Sequence, residues 1–141
     1  MSALSNLEPA LREAFLQAWP NADGATGFEN VIFDPSGKET YFKFHYLPSR
    51  SVIASLGKSG QDNFPGVVQI DMFVPIGTGT TGTVEFETAM ALRFTAGARC
   101  RYDTASLIIR NFYRNGPGEE DDGKWKFSYI INWESRVNRT N

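Results

Sequence analysis

Three features of this sequence could do chemistry: a cysteine between two arginines, a lone histidine, and a glycine-threonine loop with the spacing of a nucleotide-binding turn. Cys100 lies between Arg99 and Arg101, and flanking guanidinium groups can lower a thiol pKa enough to make the thiolate reactive. Nucleophilic catalysis also needs a base, and the only imidazole is His45. Nothing in the spacing places it beside Cys100. The plainer expectation is a small, half-buried strand cysteine in a reducing compartment. One thiol excludes an internal disulfide framework and leaves a metal site short of thiolate ligands. Asp71 stands without a second acid at a spacing useful for acid–base work, so it is expected to be solvated or bonded to a neighbouring chain. Ser/His/Asp chemistry would have to use His45, and no nucleophile elbow accompanies it. No catalytic residue, cofactor or metal follows from these positions.

Gly77-Thr78-Gly79-Thr80-Thr81-Gly82 spells G-x-G-x-x-G after an expected strand and before an expected helix, and Asp103 follows about 20 residues on. That mechanism requires a parallel βαβ unit. Here the strands before and after the loop read as hairpins. The lysine of a phosphate-binding P-loop is also missing, because Thr83-Val84 follows Gly82. A flexible loop opening a helix, ordered by a partner, is the alternative to a small nucleotide-dependent enzyme.

The elements that must position these residues follow from periodicity. Leu4, Leu7, Leu11, Ala14, Phe15 and Ala18 recur at helical spacing, Ser5 and Glu8 have capping-box spacing, and Trp19-Pro20 stops the helix. Phe28 to Phe33 and Glu39 to Leu47 read as strands of a hairpin joined by Asp34-Pro35-Ser36-Gly37. In the second strand Phe42, Phe44 and Tyr46 alternate with Tyr41, Lys43, His45 and Leu47, which places His45 toward solvent or a neighbour. Val52 to Leu56 is a short strand and Gly57 to Asn63 a loop. Val67 to Val74 puts Val68, Ile70, Met72 and Val74 on one face, and Pro75 ends it. Thr83 to Thr95 reads as a helix with Phe86, Ala89, Met90 and Phe94 on its apolar stripe. Strands follow at Arg99 to Asp103, Ser106 to Tyr113 and Lys124 to Glu134, the last alternating Trp125, Phe127, Tyr129, Ile131 and Trp133 with mostly polar residues. Asn115 to Gly123 reads as an acidic hairpin loop and Ser135 to Asn141 as a frayed polar tail.

The expected fold is therefore α+β: one mostly antiparallel, mixed sheet with two helices packed on one face. At 141 residues the chain suits a single domain, 1–141. Its hydrophobic content of 41% is ample for one core, and a net charge of −2 supplies no overall field to hold nucleic acid or an anionic membrane. The first residues carry Glu8, Arg12 and Glu13 and no unbroken apolar run, so neither a signal peptide nor a membrane span is expected.

The stretch from Val67 to Gly79, with Gln69, Asp71, Phe73, Pro75, Gly77 and Gly79 as its motif positions, resembles the tail terminator proteins of long-tailed bacteriophages, the lambda-type terminator among them. The N-terminal helix, the central helix and the final strand holding Trp133 fit that resemblance across nearly the whole chain. It implies a structural virion protein at the head–tail junction, assembled in the host cytoplasm, and not an enzyme. It further implies a homo-oligomeric, hexameric ring that caps the tail tube protein, ends tail growth and offers a surface to a head-completion or connector protein. DNA would pass through the ring. A different head–tail completion protein or a tail tube protein is the alternative.

Charge patterning is compatible with such assembly. Arg93, Arg99, Arg101, Arg110 and Arg114 occupy a stretch whose only acid is Asp103, and Glu119, Glu120, Asp121 and Asp122 follow. In a ring each subunit meets its neighbours through two different patches, so Arg110 or Arg114 could pair with the acidic run of the next chain. The arginines could equally occupy solvated strand faces, or line a DNA channel. Gly82 joins these residues as an assembly candidate.

Overall fold

Leu7, Ala10, Leu11, Ala14 and Phe15 are buried along one stripe of helix α1 (Leu7–Ala18), which a short 3-10 turn (Ala3–Asn6) precedes. The computed structural model describes residues 3–29, 31–57 and 60–138. Asn30 in the expected first strand, Lys58 and Ser59 in the expected loop, and the end of the expected tail lie outside them. The capping box predicted at Ser5 and Glu8 is not what starts the helix. The N-cap is Asn6, which makes no cap bond with its side chain. Its amide instead donates to Asp103 Oδ2 (3.3 Å) and Thr104 Oγ1 (3.2 Å). Tertiary partners, exposed themselves, hold the buried Asn6 side chain in place of a local cap.

The strands are β1 (Thr26–Phe28), β2 (Tyr41–Pro48), β3 (Val52–Ile53), β4 (Gln61–Pro75), β5 (Arg99–Tyr102), β6 (Ala105–Arg114), β7 (Glu119–Asp121) and β8 (Lys124–Asn138), with helix α2 (Thr81–Arg93) between β4 and β5. They form one sheet in the order β1-β2-β4-β8-β6-β5, with β3 beside β4 and β7 beside β8. All pairings are antiparallel except β1 with β2.

That exception corrects the expected first hairpin. The Asp34–Gly37 turn forms, with the Ser36 N–H donating to Asp34 Oδ1 at 2.9 Å and the Lys38 N–H to Pro35 O at 3.1 Å. It does not join two paired strands, because the chain crosses over and enters β2 parallel to β1. Turn chemistry is local, whereas the choice of pairing partner is not. Val31 and Ile32, expected in a strand, are exposed.

Two other boundaries move. The expected loop up to Asn63 is already strand β4 from Gln61, and the expected frayed tail is strand β8 as far as Asn138. Residues 61–66 pair with 133–138, so two polar segments satisfy each other's backbone groups. The strand expected over Val52 to Leu56 is reduced to Val52–Ile53.

The core lies on one face of the sheet. Phe42 and Phe44 of β2, Val68, Ile70 and Met72 of β4, Leu107 and Ile109 of β6, and Phe127, Tyr129, Ile131 and Trp133 of β8 meet α1 and the Phe86, Met90 and Phe94 stripe of α2. The alternation expected for β2, β4 and β8 places these residues correctly, and both helices pack on that face.

Two tyrosines, Tyr129 buried in the core and Tyr46 half-buried against it, give the fold a pH limit. Burial, aided by the Glu87 carboxylate that accepts the Tyr129 O–H at 2.9 Å, holds the Tyr129 phenol well above its usual range. Burial also pushes Tyr46 up to about 12. An unfolded tyrosine ionises near pH ~10, so the native state keeps its protons where the unfolded state has lost them. Their contribution is complete below pH ~10 and is lost as pH rises through the folded values. The expected result is alkaline unfolding that sets in above pH ~10, with Tyr46→Phe shifting the midpoint upward in a fluorescence-monitored pH titration.

Candidate assembly surfaces

The candidate residues of β4 divide between its outer face and the loop beyond its end. Gln69, Asp71 and Phe73 alternate with the core residues and so face away from the helices. Asp71 and Phe73 are nonetheless buried, at 5% and 3% exposure. Phe73 stacks on Tyr41 at 4.6 Å with an interplanar angle of 11°, and Lys43 Nζ lies 5.2 Å from its ring. Asp71 Oδ1 accepts hydrogen bonds from Ser128 Oγ (2.7 Å) and Gln69 Nε2 (2.9 Å), and Oδ2 meets His45 Nε2 at 3.1 Å.

Asp71 was expected in solvent or against a neighbouring chain, and it is instead the hub of an intrachain network. A serine, a histidine and an aspartate meet here without forming a catalytic relay. Both Ser128 and His45 point at the carboxylate, so the serine hydroxyl is not directed at a base. The sequence missed the network because its members come from three strands; only the register, His45 opposite Gln69 and Asp71 opposite Ser128, brings them together. Asp71→Ala is expected to lower stability by about 1–3 kcal/mol by removing a buried carboxylate that three partly buried donors share, with a much smaller loss for His45→Gln, whose partly exposed side chain can still donate. Urea titration of the three proteins measures it.

Pro75, Gly77 and Gly79 border a groove of about 500 Å³ whose opposite wall carries Arg114, Gly118 and Trp125. Gly77 and Gly79 have φ of +89° and +70°, a region where a side chain is strained. Gly118 has no room for a side chain against the Trp125 and Phe127 rings. Gly82 lies in the first turn of α2 and is exposed. The geometry of a dinucleotide site is absent: both neighbours of β4 run antiparallel to it, and the chain leaves α2 for β5 at the far edge of the sheet.

The acidic run expected in a loop is strand β7, closed onto β8 by Asp122-Gly123 with φ of +50° and +80°. Glu119 and Asp121 lie 3.2 and 3.3 Å from Lys126 Nζ, and the hydrogen bond with Glu119 chiefly holds that ammonium above its ordinary pKa. Glu120 and Asp122 are exposed. Arg110 pairs within the chain with Glu134 (3.0 Å) and Arg114 with Glu87 (3.6 Å). Cys100 is fully buried, more than expected, and burial pushes its thiol up against the lowering influence of Arg93. That setting opposes a reactive thiolate. Among the described residues no group of three His, Cys, Asp or Glu side chains could hold a metal ion, and no helix is long and apolar enough to cross a membrane.

A family model described as phage tail terminator protein matches residues 6–133, a span from the N-cap of α1 to Trp133. Solved structures are similar as well, one of them with a TM-score of 0.66 and 15% sequence identity over 91% of this chain and 94% of the other. At that identity the likeness establishes the fold. No curated protein matches the chain.

Proposed function

The chain belongs to the phage tail terminator protein family, and from that premise we propose that it closes into a hexameric ring on the finished tail tube, stops tube growth and presents the surface to which the head is joined. A structural role in the phage tail comes with the family. The observation that carries the finer reading is the family match, which spans both helices and nearly the whole sheet.

The groove between the Gly77–Thr80 loop and Trp125 suits a contact with the tube protein or a neighbouring subunit. It combines exposed apolar surface at Ile76 and Trp125 with a loop rich in glycine and threonine. Such a loop loses conformational freedom on docking, which interface contacts must offset. The opposite rim of the ring would meet a head-completion or connector protein, and duplex DNA would pass through the opening.

The test is tail assembly in vitro with and without the purified protein, read by electron microscopy. Tubes of defined length capped by one ring are expected with it, and overlong tubes without it. Unlimited polymerisation of the protein itself would point to a tube protein instead. Hydrogen exchange supplies a local check: residues 77–82 gain protection on assembly, and equal protection in free and assembled protein would remove the loop from the interface.

A further inference from the structure

Among the described residues, Arg99 and Arg136 make no ion pair, and they lie toward the end of the sheet away from the acidic hairpin. A cleft of about 420 Å³ is lined by Asn63 of β4, Arg99 of β5, Ser106 of β6, and Glu134 and Arg136 of β8. Arg99 and Arg136 are exposed, and among the described residues neither makes an ion pair. Glu134, the one acid of the cleft, is already held by Arg110 at 3.0 Å. Ser106 Oγ is shielded from solvent and has no hydrogen-bond partner, and Asn63 Oδ1 is orphaned in the same cleft. Two guanidinium groups without an ion pair beside a hydroxyl without a partner make a patch suited to an oxyanion.

The missing carboxylates are present on the same chain, out of reach. Glu120 and Asp122 on the β7–β8 hairpin are exposed, and among the described residues they form no ion pair. Strand β8 runs from Lys126 beside that hairpin to Arg136, ten residues on, which separates the two patches by about 33 Å. They cannot meet within one subunit, but they can between two. A head-to-tail contact of two unlike patches is the kind that generates a closed ring.

We propose that the cleft at Arg99, Ser106 and Arg136 is a carboxylate-binding site that receives Glu120 and Asp122 from the hairpin of a second copy of this chain. Each guanidinium donates to a carboxylate oxygen, and the Ser106 hydroxyl, covered in the free subunit, turns into the cleft to donate to the same acceptor. A DNA duplex is the weaker candidate, since it calls for a run of phosphate contacts and the cleft offers only two guanidinium groups. The proposal rests on the ring reading and names the contact that would close the ring.

Sedimentation velocity on the full chain tests it. Arg99→Glu with Arg136→Glu, and separately Glu120→Lys with Asp122→Lys, should each weaken self-association at least about tenfold while leaving the folded state intact, because like charges then face each other. An equimolar mixture of the two reversed proteins should associate again. Ser106→Ala should weaken association without lowering thermal stability. If the wild type assembles and either reversal assembles equally well, the site is overturned and the ring reading stands. Reversed proteins that fail to recover on mixing also overturn it. So does an arginine reversal that loses binding to a short DNA duplex while self-association is unchanged. A wild type that stays monomeric at every concentration removes the ring reading itself.

Discussion

Phe86→Ala is expected to destabilise the subunit by about 3–5 kcal/mol, near the top of the range for a single core truncation. Phe86 is fully buried at the point where both helices meet the sheet. Its ring lies 6.4 Å from Phe15 and 5.4 Å from Trp19, one in α1 and the other just past it. It also lies 5.2 Å from both Phe42 and Tyr129 in the sheet. Removing it forfeits transfer free energy and edge-on aromatic contacts, and it opens a void that stiff neighbouring rings cannot easily fill. For a domain of this size the melting temperature should fall by about 10 °C or more. Since whole domains are stable by only about 5–15 kcal/mol, tail assembly at growth temperature should suffer as well. Leu92→Ala on the same helix is the control: its side chain is 78% exposed, and a change within about 0.5 kcal/mol is expected. Differential scanning calorimetry of the three proteins decides the matter, and equal losses for both variants would contradict the packing described.

Gly66→Val is the second large effect, and it acts by overpacking. Gly66 sits opposite Trp133 in the β4–β8 pair, and a Cβ there would collide with Cζ2 and Cε2 of the indole. The indole has nowhere to retreat, because Tyr46 stacks on it at 5.7 Å with an interplanar angle of 9° and Trp133 is 1% exposed. The expected loss is about 1–3 kcal/mol or more, with a shift in tryptophan fluorescence as the ring is displaced. Gly66→Ala should show the same sign at smaller size. By contrast, Gly82→Ala meets nothing within 4 Å in the first turn of α2 and should stabilise by up to about 1 kcal/mol, as helix propensity dictates. Two glycines of similar standing in the sequence are thus expected to give opposite signs, a difference set wholly by what faces them.

Residue order alone determined those features whose physical cause is local. The alternation of Phe127, Tyr129, Ile131 and Trp133 specifies a strand with one buried face, and the Phe86, Met90, Phe94 spacing specifies one buried stripe of a helix, because both depend only on the repeat of the backbone. The Gln69 to Gly79 segment, read together with the helices and Trp133, was enough to recognise the family. Tertiary structure decided whatever depends on which distant segments pair. It ran β1 parallel to β2 despite a well-formed turn between them, and it turned the polar stretches at Gln61 and Ser135 into strand, since each supplies the backbone partners the other lacks and neither shows an apolar repeat. It also gave Asp71 its donors, matched Arg110 to Glu134 and Arg114 to Glu87, and left Arg99 and Arg136 beside an unsatisfied serine. Ion pairs and buried hydrogen bonds act over a few ångströms between residues tens of positions apart, so only the register of the folded sheet could assign them.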